Sequence, residues 1–294
     1  MASELGVSRA TWQNYVSGRT SPTMDVLLRW QRITGLSLDW LDQLGYLRPS
    51  ESVVNCDFSY CTAMFKPTDR ARFTDGGFLT TSTRDGPYTK RGGALARVEG
   101  GNWLVTLAGR LGDHPPRSVD GFFEFISTLH HSMLGDLLKD AMLVSGPTRY
   151  LFPKSVRRNY HMLSRFPEGF LLIGDAICQI NPGYSQGMST ACRQAAALDH
   201  LLHARKTKGL GLDGIWRPYF DNAFEQTRAP WLFAALIDFT KSGTTGDFPR
   251  EEKASIAEIK RLNKLSDAGD ADAACLIDSV FDMRQSLSSL QASM

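Results

Sequence analysis

The sequence contains no run approaching the roughly 18 consecutive apolar residues that span a bilayer, although 42% of its 294 residues are hydrophobic. Its opening residues, MASELGVSRA, lack the apolar core of a secretory signal. There is no CxxC pair, and the five cysteines (Cys56, Cys61, Cys178, Cys192 and Cys275) are odd in number. That excludes a fully paired disulfide scaffold and argues against a zinc site. Excess charge is also scarce, at a formal net +2. Bulk attraction to nucleic acid or an anionic membrane is therefore excluded as a driving force, while a local patch is not. Internal repeats and low-complexity segments are missing too. What remains is a soluble, cytoplasmic protein, long enough for one large domain or two ordinary ones.

The first 48 residues read as short helices. Ser8 can cap a helix through about Val16, and Ser21-Pro22 is a cap followed by a first-turn proline. Val26, Leu27, Trp30 and Ile33 share one helical stripe that Gly35 ends. Ala2 and Gly6 are four apart, and Trp12 and Tyr15 point inward. Ser8, Arg9, Gln13 and Asn14 are left outside. These side-chain types read base edges in a major groove.

The stretch LGVSRATWQNYVSGRTSP resembles the Cro/Xre-type helix-turn-helix family over about residues 2–45. The resemblance implies that the helix from Ser8 enters the major groove of double-stranded DNA, with Ser17 and Arg19 near phosphates. The family's first helix has no counterpart before Met1. Residues 1–48 carry five arginines against four acidic residues, a thin electrostatic footprint. A helical interaction module that binds no DNA remains open.

After a linker at residues 49–56 the character changes. FSYCTAMF, GGFLTTST, GGALARVE and NWLVTLAGR are strand candidates, and EGGN between the last two signals a hairpin. SVDGFFEFISTLHHSMLGDLLKDAM reads as helical and TRYLFP as a strand. Phe170 to Gly174 reads as a short buried strand. Helices are expected over Gly187–His203, Trp216–Thr240, Glu251–Leu265 and Ala271–Leu290.

One loop carries chemistry. In LLIGDAICQINPGYSQGM, a strand ending at Gly174-Asp175 would put a carboxylate at a sheet's carboxyl edge, where α/β ligands bind. Asp175 could accept hydrogen bonds from sugar or ribityl hydroxyls. Pro182 and Gly183 shape a turn, and Gly187 leaves room for a ring or phosphate. The helix that follows would aim its free N–H groups and positive dipole end at the site. A carboxylate that merely caps the loop is the plain structural alternative.

Gly174-Asp175-Ala176, Asn181-Pro182 and Ser185-Gln186-Gly187-Met188 together resemble the second flavin motif of the aromatic-hydroxylase-like FAD-dependent monooxygenases. The likeness extends over roughly residues 57–285. It implies that Gly174, Asp175 and Ala176 are cofactor-binding, with Asp175 binding the ribityl chain. It implies that Pro182, Gly183, Gln186, Gly187 and Met188 line the isoalloxazine ring. It further implies FAD as cofactor, NAD(P)H as reductant and an unidentified small organic substrate that is hydroxylated with oxygen.

The family also opens with a strand and a GxGxxG turn for the pyrophosphate, and has a middle Asp-Gly motif. Neither is found. The GLGLDG at Gly209–Gly214 follows HARKTK with no strand before it, so it reads as an inter-helix loop. The expectation is half of a cofactor site, with a partner chain, including a homodimer, one way to complete it.

Other candidates are weaker. Arg157-Arg158 near Tyr160 can contact a ligand or form a solvated basic face. His130-His131 lacks a partner at metal spacing, so no metal is expected. Cys178 and Cys192 read as inert buried thiols. GYSQG has the spacing of a hydrolase nucleophile elbow, but the upstream GDA favours flavin.

The expected fold is α+β / α/β. A small all-α helix-turn-helix covers residues 1–48. A mixed-sheet substrate domain covers 57–155. An incomplete FAD-binding, Rossmann-like portion with a helical C-terminus covers 156–294. Three readings stay open: a flavin hydroxylase-like oxidoreductase, a DNA-binding regulator with a non-catalytic flavin-type domain, and an inactive fused or truncated gene product.

Overall fold

Period-two alternation builds the centre of the molecule. In β4 (Trp103–Arg110), Trp103, Val105 and Leu107 are buried while the residues between them are half-exposed. β1 (Glu51–Lys66) repeats this with Cys61, Ala63 and Phe65. Successive side chains on a strand face opposite ways, so this spacing dictates one apolar face. The structure, a computed structural model, describes residues 41–42, 44–68, 78–82 and 90–290. Among these, seven strands make one sheet. Its order is β2 (Phe78–Ser82), β3 (Gly92–Arg97), β4, β1, β5 (Met142–Arg158) and β6 (Cys178–Gln179), with β7 (Thr245–Gly246) against β1. The expected β3–β4 hairpin is present, pairing Gly92 with Ala108 and Arg97 with Trp103.

Two helices, α1 (Val119–Ser127) and α2 (Met133–Leu138), cover the apolar face. Phe122, Phe125, Ile126, Leu134 and Leu138 pack there against Phe65, Leu95 and Leu107. Ser118 caps α1 by accepting from the Gly121 N–H at 3.3 Å. The single helical stretch expected here is broken. Ser127 and Thr128 hydroxyls donate to the carbonyls of Glu124 and Phe125, and such local bonds compete with the helical ladder.

The second core lies under α3 (Gly187–Thr207) and α4 (Trp216–Phe239). Trp216, Tyr219, Phe220 and Trp231 of α4 meet Tyr160, Phe166, Ile177 and Ile180 there. A third core joins α4 to α5 (Lys253–Asp267) and α6 (Ala271–Phe281) through Leu232, Phe233, Ile256, Ile259 and Val280. No helix among the described residues is long and apolar enough to cross a membrane.

Several expectations are corrected. The linker at 49–56 is mostly strand: Glu51 pairs with Arg158, and Val54 and Cys56 are buried. Its polar residues alternate with these apolar ones, which composition alone conceals. The boundary at 155/156 falls inside β5, so both halves share one sheet. That sheet is not mixed, because every pairing among the described residues is antiparallel. Phe170–Gly174 is not a strand. Phe170, Leu171 and Leu172 pack half-buried on the second core with no strand pairing among the described residues, and a short apolar run does not by itself distinguish strand from packed loop. The strand-led, Rossmann-like edge is thus replaced by an extended loop.

Candidate functional site

Ile173 is extended, and Gly174 then enters the left-handed region at φ +64°, where glycine has no Cβ penalty. The chain turns through a single 3₁₀ turn, Gly174–Ala176. Two side chains pin that turn. The Gly174 N–H donates to Gln194 Oε1 on α3 at 2.7 Å. Arg158 Nη1 donates to the carbonyls of Asp175 and Ala176 at 3.2 and 3.4 Å, while its Nε donates to Glu51 at 2.9 Å. Neither anchor is part of the sequence motif.

Asp175 is exposed, and its Oδ1 would lie 3.9 Å from a Cβ placed on Gly187. The carboxylate therefore hangs beside the first turn of α3. No side-chain hydrogen bond reaches it among the described residues. Partial burial raises its pKa above the usual carboxylate range, and the Arg158 guanidinium pulls the other way.

Asn181 shapes the next turn, Pro182–Tyr184. Its Oδ1 accepts from the Gly183 N–H at 3.0 Å, and its own N–H donates to the buried Ser155 hydroxyl at 3.0 Å. Ser185 closes the turn in the left-handed region at φ 57°. Gln186 precedes α3 without capping it. Its amide is buried and its Oε1 has no partner; the Nε2 of buried Gln194 is likewise unpartnered. An uncapped helix start presents its N–H groups and a partial positive charge outward.

The eight expected cofactor residues therefore do not behave alike. Gly174, Asp175, Ala176 and Gly187 come together at the α3 terminus. Pro182, Gly183 and Met188 are exposed, Met188 at 82%. Gln186 is turned inward. A Cβ on Gly183 would meet the Phe58 ring at 3.2 Å, so this glycine seats the loop on β1. A groove of about 560 Å³ lies elsewhere, between α3 and α4, lined by Arg193, His200, Tyr219 and Asn222 among others.

The remaining candidates are resolved by burial. Arg157 is only 3% exposed, which overturns the solvated basic face. Cys178 is buried with its thiol pushed up to about 12, whereas Cys192 is exposed, contrary to expectation. No histidine bonds Ser185 among the described residues, so the GYSQG serine is not set up as a nucleophile; the serine that does meet a histidine is Ser59, 2.6 Å from His114 Nδ1. No group of three metal-ligating side chains occurs among the described residues either. Ser8, Arg9, Gln13, Asn14, Ser17 and Arg19 lie outside the described residues. Sequence reasoning missed Arg158 and Gln194 as loop anchors; they stand 17 and 20 residues from the backbone they hold.

Over the described residues, the antiparallel sheet and its helices resemble part of the fold of FAD-dependent monooxygenases and halogenases. A Klebsiella pneumoniae HpxO variant complexed with FAD superposes with a TM-score of 0.51 at 15% identity, covering 81% of this chain and 57% of that one. A triple mutant of the flavin-dependent brominase Bmp2 superposes at 0.50 and 12% identity, covering 86% and 58%. Residues 1–41 match the helix-turn-helix family model. In sequence, 209 residues are 28% identical to Protein Rv3254 of Mycobacterium tuberculosis, covering 71% of this chain and 43% of that protein. The chain thus spans less than half the length of that relative.

Proposed function

We propose that the Gly174–Met188 segment is one side of an FAD site and that the chain belongs to an oxidoreductase of the monooxygenase type. The carrying observation is the uncapped α3 terminus with the partnerless Asp175 carboxylate beside uncrowded Gly187. The donor set fits the group. Asp175 offers an acceptor to ribityl hydroxyls, and the α3 N–H groups offer a positive end to an anionic ring or phosphate. The unpartnered amide atoms of Gln186 and Gln194 leave hydrogen-bonding capacity beside the same turn.

When bound, FAD supplies the redox chemistry, taking electrons from a nicotinamide and delivering them to oxygen. This chain's residues bind and orient. Asp175 holds the chain of hydroxyls, Arg158 and Gln194 keep the Gly174–Ala176 turn in place, and Pro182 and Met188 offer an apolar face. The AMP and pyrophosphate would need a contact surface beyond the described residues.

The test is titration with FAD, followed by visible absorbance and flavin fluorescence. Saturable binding is expected, weakened at least tenfold by Asp175→Ala, because a hydrogen bond to a charged group contributes about 1.5–3 kcal/mol. A colourless protein that takes up no FAD at any concentration sinks the reading.

A second reading, a DNA-binding regulator, is favoured by the helix-turn-helix match over residues 1–41. It predicts salt-sensitive, sequence-preferring binding to duplex DNA, lowered by Arg9→Ala and Gln13→Ala. Anisotropy with a pool of duplexes checks this. Binding that is absent, or unaffected by either change, removes it. Failure of both titrations would leave an inactive gene product.

A further inference from the structure

Beneath the exposed side of the Asn181–Ser185 turn sits a buried carboxylate that the motif does not contain. Asp238, near the end of α4, is 1% exposed. The Tyr184 hydroxyl donates to its Oδ1. Asn181 Nδ2 donates to Oδ1 at 3.1 Å and reaches Oδ2 at 3.4 Å. From β4, Arg110 Nη1 stands 3.6 Å from Oδ1. The same guanidinium lies 5.3 Å above the Phe58 ring, against which Gly183 is seated. The Asp238 carbonyl is occupied separately, by the Thr244 hydroxyl at 2.7 Å. Lys241, just beyond α4, is also within electrostatic reach, and burial together with Arg110 lowers its pKa.

Burying an ionised carboxylate is costly unless every lone pair finds a partner. Here both neutral donors to Asp238 come from one five-residue turn, and the cation beside it is stacked on the ring under that turn. The turn needs such restraint. Ser185 holds a left-handed conformation that is strained for a non-glycine residue, and no side chain caps the helix that follows.

We propose that Asp238 is a positioning residue: acting through Asn181 and Tyr184, it fixes the turn and hence the first turn of α3 before any ligand arrives. It touches no cofactor itself. The clamp stands on its own geometry, and only the identity of the ligand it serves rests on the flavin reading.

Hydrogen–deuterium exchange on the full chain without ligand tests it. In Asp238→Asn, amides from Gly183 to Thr190 are expected to exchange at least tenfold faster. Those of the β3–β4 hairpin and of α5–α6 should keep their wild-type rates. Tyr184→Phe, which removes one hydrogen bond and no charge, should show a smaller rise in the same segment. It also decides the matter should Asp238→Asn fail to fold. Unchanged exchange in the loop, or a rise spread evenly over the chain, overturns the clamp. A parallel FAD titration read by visible circular dichroism should show Asp238→Asn binding at least tenfold weaker with a flattened signal. If the wild type takes up no FAD, the flavin reading fails while the exchange result still decides the role of Asp238.

Discussion

Arg157→Ala is expected to cost about 3–5 kcal/mol of stability, the range seen when a large buried side chain is truncated. A solvated arginine would make the change nearly neutral, within about 0.5 kcal/mol. The guanidinium carbon of Arg157 stands 5.0 Å from the centre of the Phe224 ring and 5.2 Å from that of Trp231. Its Nη2 donates to Glu251 at 3.1 Å, and its Nε has no partner. Burial depresses its pKa, with Glu251 acting in the opposite sense. Glu251 is 57% exposed and can rehydrate when its partner goes. The loss should therefore come from the gap left between two rings and from the lost cation–π attraction, rather than from a stranded charge. Two companion changes separate these causes. Glu251→Gln keeps an acceptor for Arg157 Nη2 at the exposed side of the pair, so it should cost no more than about 1.5 kcal/mol. Arg157→Met keeps most of the volume and removes a desolvated charge, so it should fall within about 1.5 kcal/mol of wild type. Urea melts of the three variants check the order. A methionine variant as unstable as the alanine one would assign the stabilisation to charge instead of packing.

The difference between Arg157 and its neighbour marks the limit of sequence reading. Both look like a basic surface pair. Burial at the end of β5 does not alternate: Ser155, Val156 and Arg157 are buried in succession and Arg158 is half-buried, a covering supplied by elements distant in the chain. Where local chemistry decides, the sequence is legible. Asp270 caps α6 by accepting from the Asp272 and Ala273 N–H groups at 3.1 and 3.0 Å, and the expected start at Ala271 holds. EGGN turns the β3–β4 hairpin as its residues require. Where distant partners decide, it is not legible. Phe170–Ile173 has strand composition but pairs with no strand among the described residues. Residues 51–55 look like a polar linker yet pair with residues 158 down to 154, about a hundred positions away. The GDA, NP and QGM order was readable because it lies within eighteen residues, Leu171 to Met188. Its supports (Arg158, Gln194, Arg110 and Asp238) are scattered over four elements. On its own helix Asp238 reads as an ordinary polar residue near a C-terminus, and nothing nearby in the chain marks it as buried.

The same scattering makes Gly109 a sensitive point for the site, and Gly109→Ala should cost about 3 kcal/mol, the upper range for overpacking a close contact. Gly109 is the last inward position of β4, and a Cβ there would overlap the carbonyl oxygen of Asp113 outright and lie 3.1 Å from Pro115 Cδ. Neither neighbour is the free end of a pliable side chain. The segment Leu111–Asp113 would have to lift away from the strand. It is held by the Leu111 N–H to Asp57 carbonyl bond at 2.9 Å, the Gly112 N–H to the Asp57 carboxylate at 2.8 Å, and a bidentate Arg91–Asp113 pair with both contacts at 2.7 Å. Moving it therefore breaks a charge-assisted pair as well as two hydrogen bonds donated by backbone N–H groups to Asp57. Arg110 follows Gly109 directly, so the guanidinium facing Asp238 would shift too. The expected signature is a lowered melting temperature together with faster amide exchange in Gly183–Thr190, more than seventy positions downstream. Arg91→Lys, which keeps the charge but loses the fork, should lower stability less and leave that distant segment untouched. A Gly109→Ala protein that melts like the wild type would show that the loop has room to retreat. One that melts early without disturbing the distant segment would show that Arg110 is held by Phe58 rather than by its own strand.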